Sequence, residues 1–119
     1  MNTKAQPRRG EVWLVELDPT RGAEMQKTRP AVVLSSDALG VLLLKLVAPI
    51  TGWNPRFEKN PWHVLVEPDE TNRLTKRGAI DVLQIRSLDV GRFQKKLGRL
   101  SADLMEEVAL AVALVVEVP

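Results

Sequence analysis

A small, mainly β chain closed by one C-terminal α-helix is the fold class this sequence predicts, and three observations predict it. Short apolar segments bounded by Pro, Gly, Asp or Ser recur through residues 10–100, the pattern of several short strands. Only residues 101–118 combine a helix N-cap with apolar residues at helical spacing. A length of 119 residues suits one domain, 1–119, with a single core.

In chain order, residues 1–7 read as a polar tail ending at Pro7. Residues 10–17 form the first strand, with Val12, Leu14 and Glu16 on one face and Trp13, Val15 and Leu17 on the other. Asp18-Pro19 stops it, because proline fixes φ and carries no backbone donor. A loop of about ten residues follows, and loops of that length and charge between apolar strands tend to carry function. A second strand spans 30–36, where four successive apolar residues, Ala31 to Leu34, imply burial on both faces. Residues 37–40 make a turn and 41–50 a third strand; Pro49 and the shortness of the run argue against a helix through Leu42, Leu43 and Leu44.

Residues 51–61 form a second long loop, broken by Gly52, Pro55 and Pro61. A fourth strand covers 63–67, a polar link 70–77 and a fifth strand 78–88. Residues 89–96 hold a short helical turn and 97–100 a last strand. Ser101 caps the helix and Asp103 complements its dipole. Leu104, Val108, Val112 and Val115 line one side; beyond Val108 the helix is apolar nearly all round, which implies burial on more than one side and a partner subunit as cover. Short strands closed by one helix predict a small barrel or strongly bent sheet.

Composition excludes several chemistries. With no cysteine and one histidine there is no thiolate site and no recognisable metal-ligand set. The polar, basic start lacks a signal-peptide pattern, and the longest apolar run, 108–116, is too short to span a bilayer, so a soluble cytoplasmic protein is expected. The net charge is only +2, but the last twenty residues contribute −4 and leave +6 on the first ninety-nine. Such a basic body suits a polyanion; a solvated surface of mixed charge is the competing reading.

Two residues stand out for phosphate chemistry. Pro30 forces Arg29 into an extended conformation and holds its planar fork of donors at a strand entrance. Thr51 stands at another strand end, and in an antiparallel barrel two strand ends can share one rim. The competing readings are a rim salt bridge of Arg29 with Glu24 and a plain turn role for Thr51. Three of the five aromatic residues, Trp53, Phe57 and Trp62, alternate with Arg56 and Lys59 in the second loop. That interleaving suits unpaired bases, although Phe57 and Trp62 could equally pin the loop to the core. His63, inside a strand beside Trp62, reads as structural.

Taken together, Arg8 to Glu24, the run Thr28-Arg29-Pro30-Ala31-Val32-Val33-Leu34, Ala48-Pro49-Ile50-Thr51 and Val82 to Leu88 resemble MazF/PemK-type toxins, in the expected order over nearly the whole chain. The resemblance implies a small SH3-like (CcdB/PemK-type) barrel with a terminal helix, forming a homodimer. It implies a sequence-specific endoribonuclease that cuts single-stranded RNA without metal or other cofactor and leaves a 2′,3′-cyclic phosphate and a 5′-hydroxyl. A cognate antitoxin with an acidic, disordered tail would lie over the RNA groove. The family's catalytic arginine and threonine fall on Arg29 and Thr51, its loop glutamate on Glu24, and a groove position on Gln84. Lys27, Trp53, Arg56 and Arg86 complete the candidate RNA contacts. The family also gives its arginine an acid-base role, for which a guanidinium is a poor base at neutral pH. The chain departs from the family at Met25-Gln26-Lys27, where a glycine or two is common; a stiffer loop is expected. The alternatives are a CcdB-like toxin that binds DNA gyrase without catalysis and a small-barrel RNA-binding module.

Overall fold

A computed structural model describes residues 6–119; the first five residues of the expected tail lie outside it, and Pro7 at its end is buried. Seven strands and one helix follow in order: β1 Glu11–Glu16, β2 Thr28–Val33, β3 Leu44–Gly52, β4 His63–Val66, β5 Gly78–Asp81, β6 Arg86–Asp89, β7 Phe93–Arg99 and α1 Ala102–Val115. The sheet runs β4-β5-β3-β2-β1-β7, with β6 also paired to β3, and every pairing is antiparallel.

Strand β3 is the hinge of this arrangement. One edge pairs with β2; the other pairs with β6 over Leu44–Val47 and with β5 over Ile50–Gly52. The sequence reading made 78–88 one strand, and those residues do run along one edge of β3. They are interrupted, however, by a 3-10 turn over Val82–Gln84. Continuing the β5 register would set Val47 opposite Leu83, whereas Val47 pairs with Arg86, so three extra residues are pushed out of the sheet. Asp81 explains the break: its carboxylate accepts the Leu83 N–H at 3.0 Å, offering the backbone a turn in place of the ladder.

The sheet carries apolar packing on both faces. Val12, Val32, Ala48, Ile50, Val66 and Ile80 pack under α1, which contributes Met105, Val108 and Ala111. Val15, Leu17, Ala31, Val33, Val47, Leu88 and Phe93 form a second cluster on the opposite face, flanked by Trp13 and Met25. The alternation expected in β1 and the double burial expected in β2 are both present, because successive side chains leave a strand in opposite directions. Each fully buried aliphatic side chain contributes roughly 1.5–3 kcal/mol.

Several boundaries differ from the sequence reading, three of them at strand starts by two residues or more. Strand β2 begins at Thr28, so Arg29 lies within it. Strand β3 begins at Leu44 rather than Val41; Val41 and Leu43 lie outside the strand and are exposed. The last strand is seven residues long, since only Val90–Arg92 form a turn and Phe93 is already paired with Val15.

Helix α1 starts as expected: Ser101 Oγ accepts the Leu104 N–H at 3.1 Å. Its outer face leaves Leu110 and Leu114 more than half exposed. No helix among the described residues is long and apolar enough to cross a membrane.

The two ends of the sheet, β4 and β7, do not pair with each other; the segment 67–77 between β4 and β5 bridges them instead. Thr71 accepts the Arg99 N–H at 3.0 Å, and Gly98 allows the close approach. At the start of β1, Glu11 is nearly buried. Burial pushes its carboxyl pKa up, but bonds from the Arg8 N–H, Trp13 Nε1 and the Lys96 ammonium outweigh burial and hold it below the ordinary value.

Candidate active site

Arg29 and Thr51 line one recess. The β2–β3 ladder pairs Ala31 with Pro49, and the same register carried two residues outward sets Arg29 opposite Thr51. Both line a recess of about 170 Å³ at the sheet end. Arg29 is half-buried, and its Nε donates to the Gln26 carbonyl at 3.1 Å, which leaves the terminal guanidinium nitrogens without a protein partner among the described residues. The salt bridge with Glu24 is not formed: Glu24 Oε1 instead accepts the Arg21 N–H at 2.7 Å. Thr51 lies inside β3, paired with Ala79, and is not a turn residue.

The recess has two walls, of which the sequence reading anticipated only the first. One is the start of β2. The other is Leu74 to Gly78, read from sequence as the end of a polar link and the first residue of the fifth strand. Its Lys76 ammonium stands 3.4 Å from where a Cβ would sit on Gly52. Arg77 lines the recess too, but its Nε is paired with Glu67 at 3.0 Å. No sequence pattern points to Lys76, because its proximity to Thr51 arises only when β5 pairs with β3.

A larger groove of about 840 Å³ lies alongside the β1–β2 loop, lined by Arg21, Glu24, Met25, Gln84 and Arg86 among others. Here the extruded turn matters. Gln84 uses its amide to hold the loop twice: Oε1 accepts the Met25 N–H at 2.6 Å and Nε2 donates to the Ala23 carbonyl at 3.2 Å. Arg86 donates to the Leu17 carbonyl at 3.1 Å, and Arg92, absent from the sequence candidates, donates to the Glu16 and Asp18 carbonyls. Lys27 is exposed and adopts φ 68°, in the left-handed region.

The aromatic loop faces elsewhere. Trp53 packs edge-on to Phe57, with centroids 5.9 Å apart, and Phe57 stacks on His63 at 3.9 Å. Trp53 lines a separate depression against α1 and β4, and Arg56 is exposed on the 3-10 turn Pro55–Lys59. Phe57 and Trp62 pin this loop to the body, as one of the two sequence readings held. His63 sits between Asn60, at 3.1 Å from Nδ1, and Asp81, at 3.4 Å from Nε2, in a structural role. Among the described residues, no group of three or more His, Cys, Asp or Glu side chains could hold a metal ion.

Comparison with protein families matches residues 8–116 to the PemK-like, MazF-like toxins of type II toxin-antitoxin systems. The chain belongs to this PemK/MazF toxin family. Among relatives of this PemK/MazF chain, endoribonuclease MazF9 of Mycobacterium tuberculosis is 37% identical over 101 residues, covering 80% of this chain and 83% of that protein. Among solved structures, MazF of Deinococcus radiodurans superposes with a TM-score of 0.78 at 28% identity, over 95% of this chain and 98% of the other. A chain of the MazE–MazF crystal structure from the same organism gives a TM-score of 0.74 at 26% identity, over 97% and 99%. The PemK/MazF fold, a barrel-like antiparallel sheet with one C-terminal helix, is therefore the fold of this chain.

Proposed function

We propose that this PemK/MazF chain is a toxin endoribonuclease that cuts single-stranded mRNA at specific sequences, in the cytoplasm and without a metal ion. The observation that carries the reading is the convergence of Arg29 and Thr51 on one recess, with Arg29's outer donors uncommitted. RNA supplies its own nucleophile. The 2′-hydroxyl gives up its proton to water and attacks the adjoining phosphorus; the bond to the 5′-oxygen breaks, and that oxygen takes up a proton from water. The products are a 2′,3′-cyclic phosphate and a 5′-hydroxyl. Negative charge accumulates on the phosphorane oxygens, and a fixed guanidinium is suited to stabilise it. Arginine side chains in proteins stay protonated, so Arg29 acts by charge and geometry rather than as the base. Thr51 holds a phosphate oxygen through its hydroxyl.

The groove along the β1–β2 loop would take the flanking bases, with Glu24, Gln84 and Arg86 on its wall and Lys27 in the loop; Trp53 and Arg56 would meet RNA only beyond it. The same groove, with Arg21 and Arg86 on its wall, suits the acidic tail of an antitoxin; MazF of Deinococcus radiodurans is seen in a crystal structure with MazE. Exposed Leu110 and Leu114 on α1, with Leu43 and Leu44 at the start of β3, support a homodimer.

The test is incubation of the purified chain with a long single-stranded RNA in EDTA, followed by mapping of the ends. Cuts bearing cyclic-phosphate termini are expected. Removal of the guanidinium in Arg29→Ala should lower kcat by at least about 100-fold, the loss typical of one oxyanion-stabilising donor. Binding without cleavage would instead indicate an RNA-binding module, and gyrase inhibition without either a CcdB-like toxin.

A further inference from the structure

We propose that Lys76 binds the RNA phosphate adjoining the scissile one, and so sets how the strand leaves the recess. This rests on the endoribonuclease reading above and adds to it a contact from a different loop. Four observations carry it. The Lys76 ammonium stands over Gly52, one residue beyond Thr51 in β3. Lys76 lines the same recess as Arg29 and Thr51. Gly52 pairs with Gly78, which leaves bare backbone beneath the ammonium. No carboxylate lies within ion-pair distance of Lys76 among the described residues, while its neighbour Arg77 is already paired with Glu67.

The segment bearing Lys76 is also rigid. Asn72 is 1% exposed; its Nδ2 donates to the Glu67 carbonyl at 2.8 Å, and its Oδ1 accepts the Asp69 and Leu74 N–H groups at 3.1 and 2.9 Å. A cation on so fixed a segment binds an anion with little ordering cost in the backbone.

The experiment measures cleavage of a short single-stranded RNA containing a mapped site, across a range of salt concentrations. Lys76→Met, which keeps the aliphatic stem, should raise KM by about 10-fold with little change in kcat, as expected when a ground-state phosphate contact is lost. The slope of log(kcat/KM) against log[salt] should fall by about 0.7, the share of one phosphate on a single strand. Lys76→Arg should restore most of both. A neutral methylphosphonate at the phosphate next to the cut should weaken the wild type and leave Lys76→Met unaffected. Equal losses in both proteins at every phosphate tested, or an unchanged salt slope, would overturn the proposal. If the wild type binds the RNA without cutting it, the catalytic reading fails, and the same slope and methylphosphonate comparisons made on Kd decide the Lys76 contact. If the wild type neither binds nor cuts, both fall.

Discussion

Two polar loops flank the recess, and they are held in opposite ways. The β4–β5 segment is organised around a fully buried asparagine whose amide bonds only to its own loop, and it is joined to β7 through the Arg99–Thr71 bond. The β1–β2 loop has no such centre. It rests on Met25 at the edge of the second core, on the Gln84 amide and on two arginines at its base, Arg86 and Arg92. All three polar side chains belong to distant parts of the chain. The first loop is therefore stable wherever the local fold is intact, whereas the second depends on groups that other molecules can compete for. One loop is held by its own residues and the other by residues far along the chain.

The strongest way to break this contrast is to loosen the locally held loop. A Cβ at Gly98 would stand 2.2 Å from the Thr71 carbonyl oxygen and 2.8 Å from the Asn72 carbonyl. Both obstacles are backbone, so Gly98→Ala forces the segment or β7 to move, and it should destabilise the fold by about 3 kcal/mol. Urea unfolding measures this directly. A loss under about 1 kcal/mol would mean the segment shifts easily, and the contrast would collapse.

The loop held from afar calls for the opposite signature. Gln84→Ala removes two hydrogen bonds from the β1–β2 loop, and should lower the local opening free energy by about 1–2 kcal/mol while leaving the unfolding midpoint nearly unchanged. Amide hydrogen exchange at Met25 reads the local effect, since its N–H is one of the bonded groups. If Met25 exchanges no faster in the variant, packing of its side chain alone secures the loop.

This division explains what could be read from sequence. Strands β1 and β2 were legible because their patterning is local: alternation in one, continuous apolarity in the other. The helix was legible from Ser101 and its apolar stripe. Arg29 and Thr51 were singled out through motif resemblance and the constraint that Pro30 imposes, and the fold sets both on one recess. The start of β3 was not, because Val41 and Leu43 are as apolar as the strand but lie outside it, Leu43 keeping only a bond from the Val90 N–H to its carbonyl at 2.9 Å, and apolarity alone does not report pairing. Lys76, Asn72 and Arg92 were not, because each acts through a contact that exists only in three dimensions. Gln84 was found for its position along the groove, while its hold on the loop 59 residues upstream of it was invisible until β5 and β6 were seen to part around it.

The smallest effect concerns the one stretch where the chain departs from the common family pattern. Met25-Gln26-Lys27 lacks glycine, yet Lys27 adopts φ 68°, a conformation in which a Cβ is crowded against the backbone. The bond it supports, from the Leu17 N–H to the Lys27 carbonyl at 2.9 Å, is a backbone bond and survives substitution. Lys27→Gly removes the crowding, worth about 1 kcal/mol, but it also frees the unfolded chain, which opposes the gain by a similar amount. The net change in stability should lie within about 0.5 kcal/mol of zero, unlike Gly98→Ala, where the reduced freedom of the unfolded chain offsets only a small part of the backbone clash. A loss above about 1 kcal/mol would show that the Lys27 side chain itself holds the loop, making it less releasable than the Gln84 contacts alone suggest. Near-neutrality in stability with a changed cleavage pattern would show instead that loop stiffness at this position acts on the choice of RNA sequence and not on the fold.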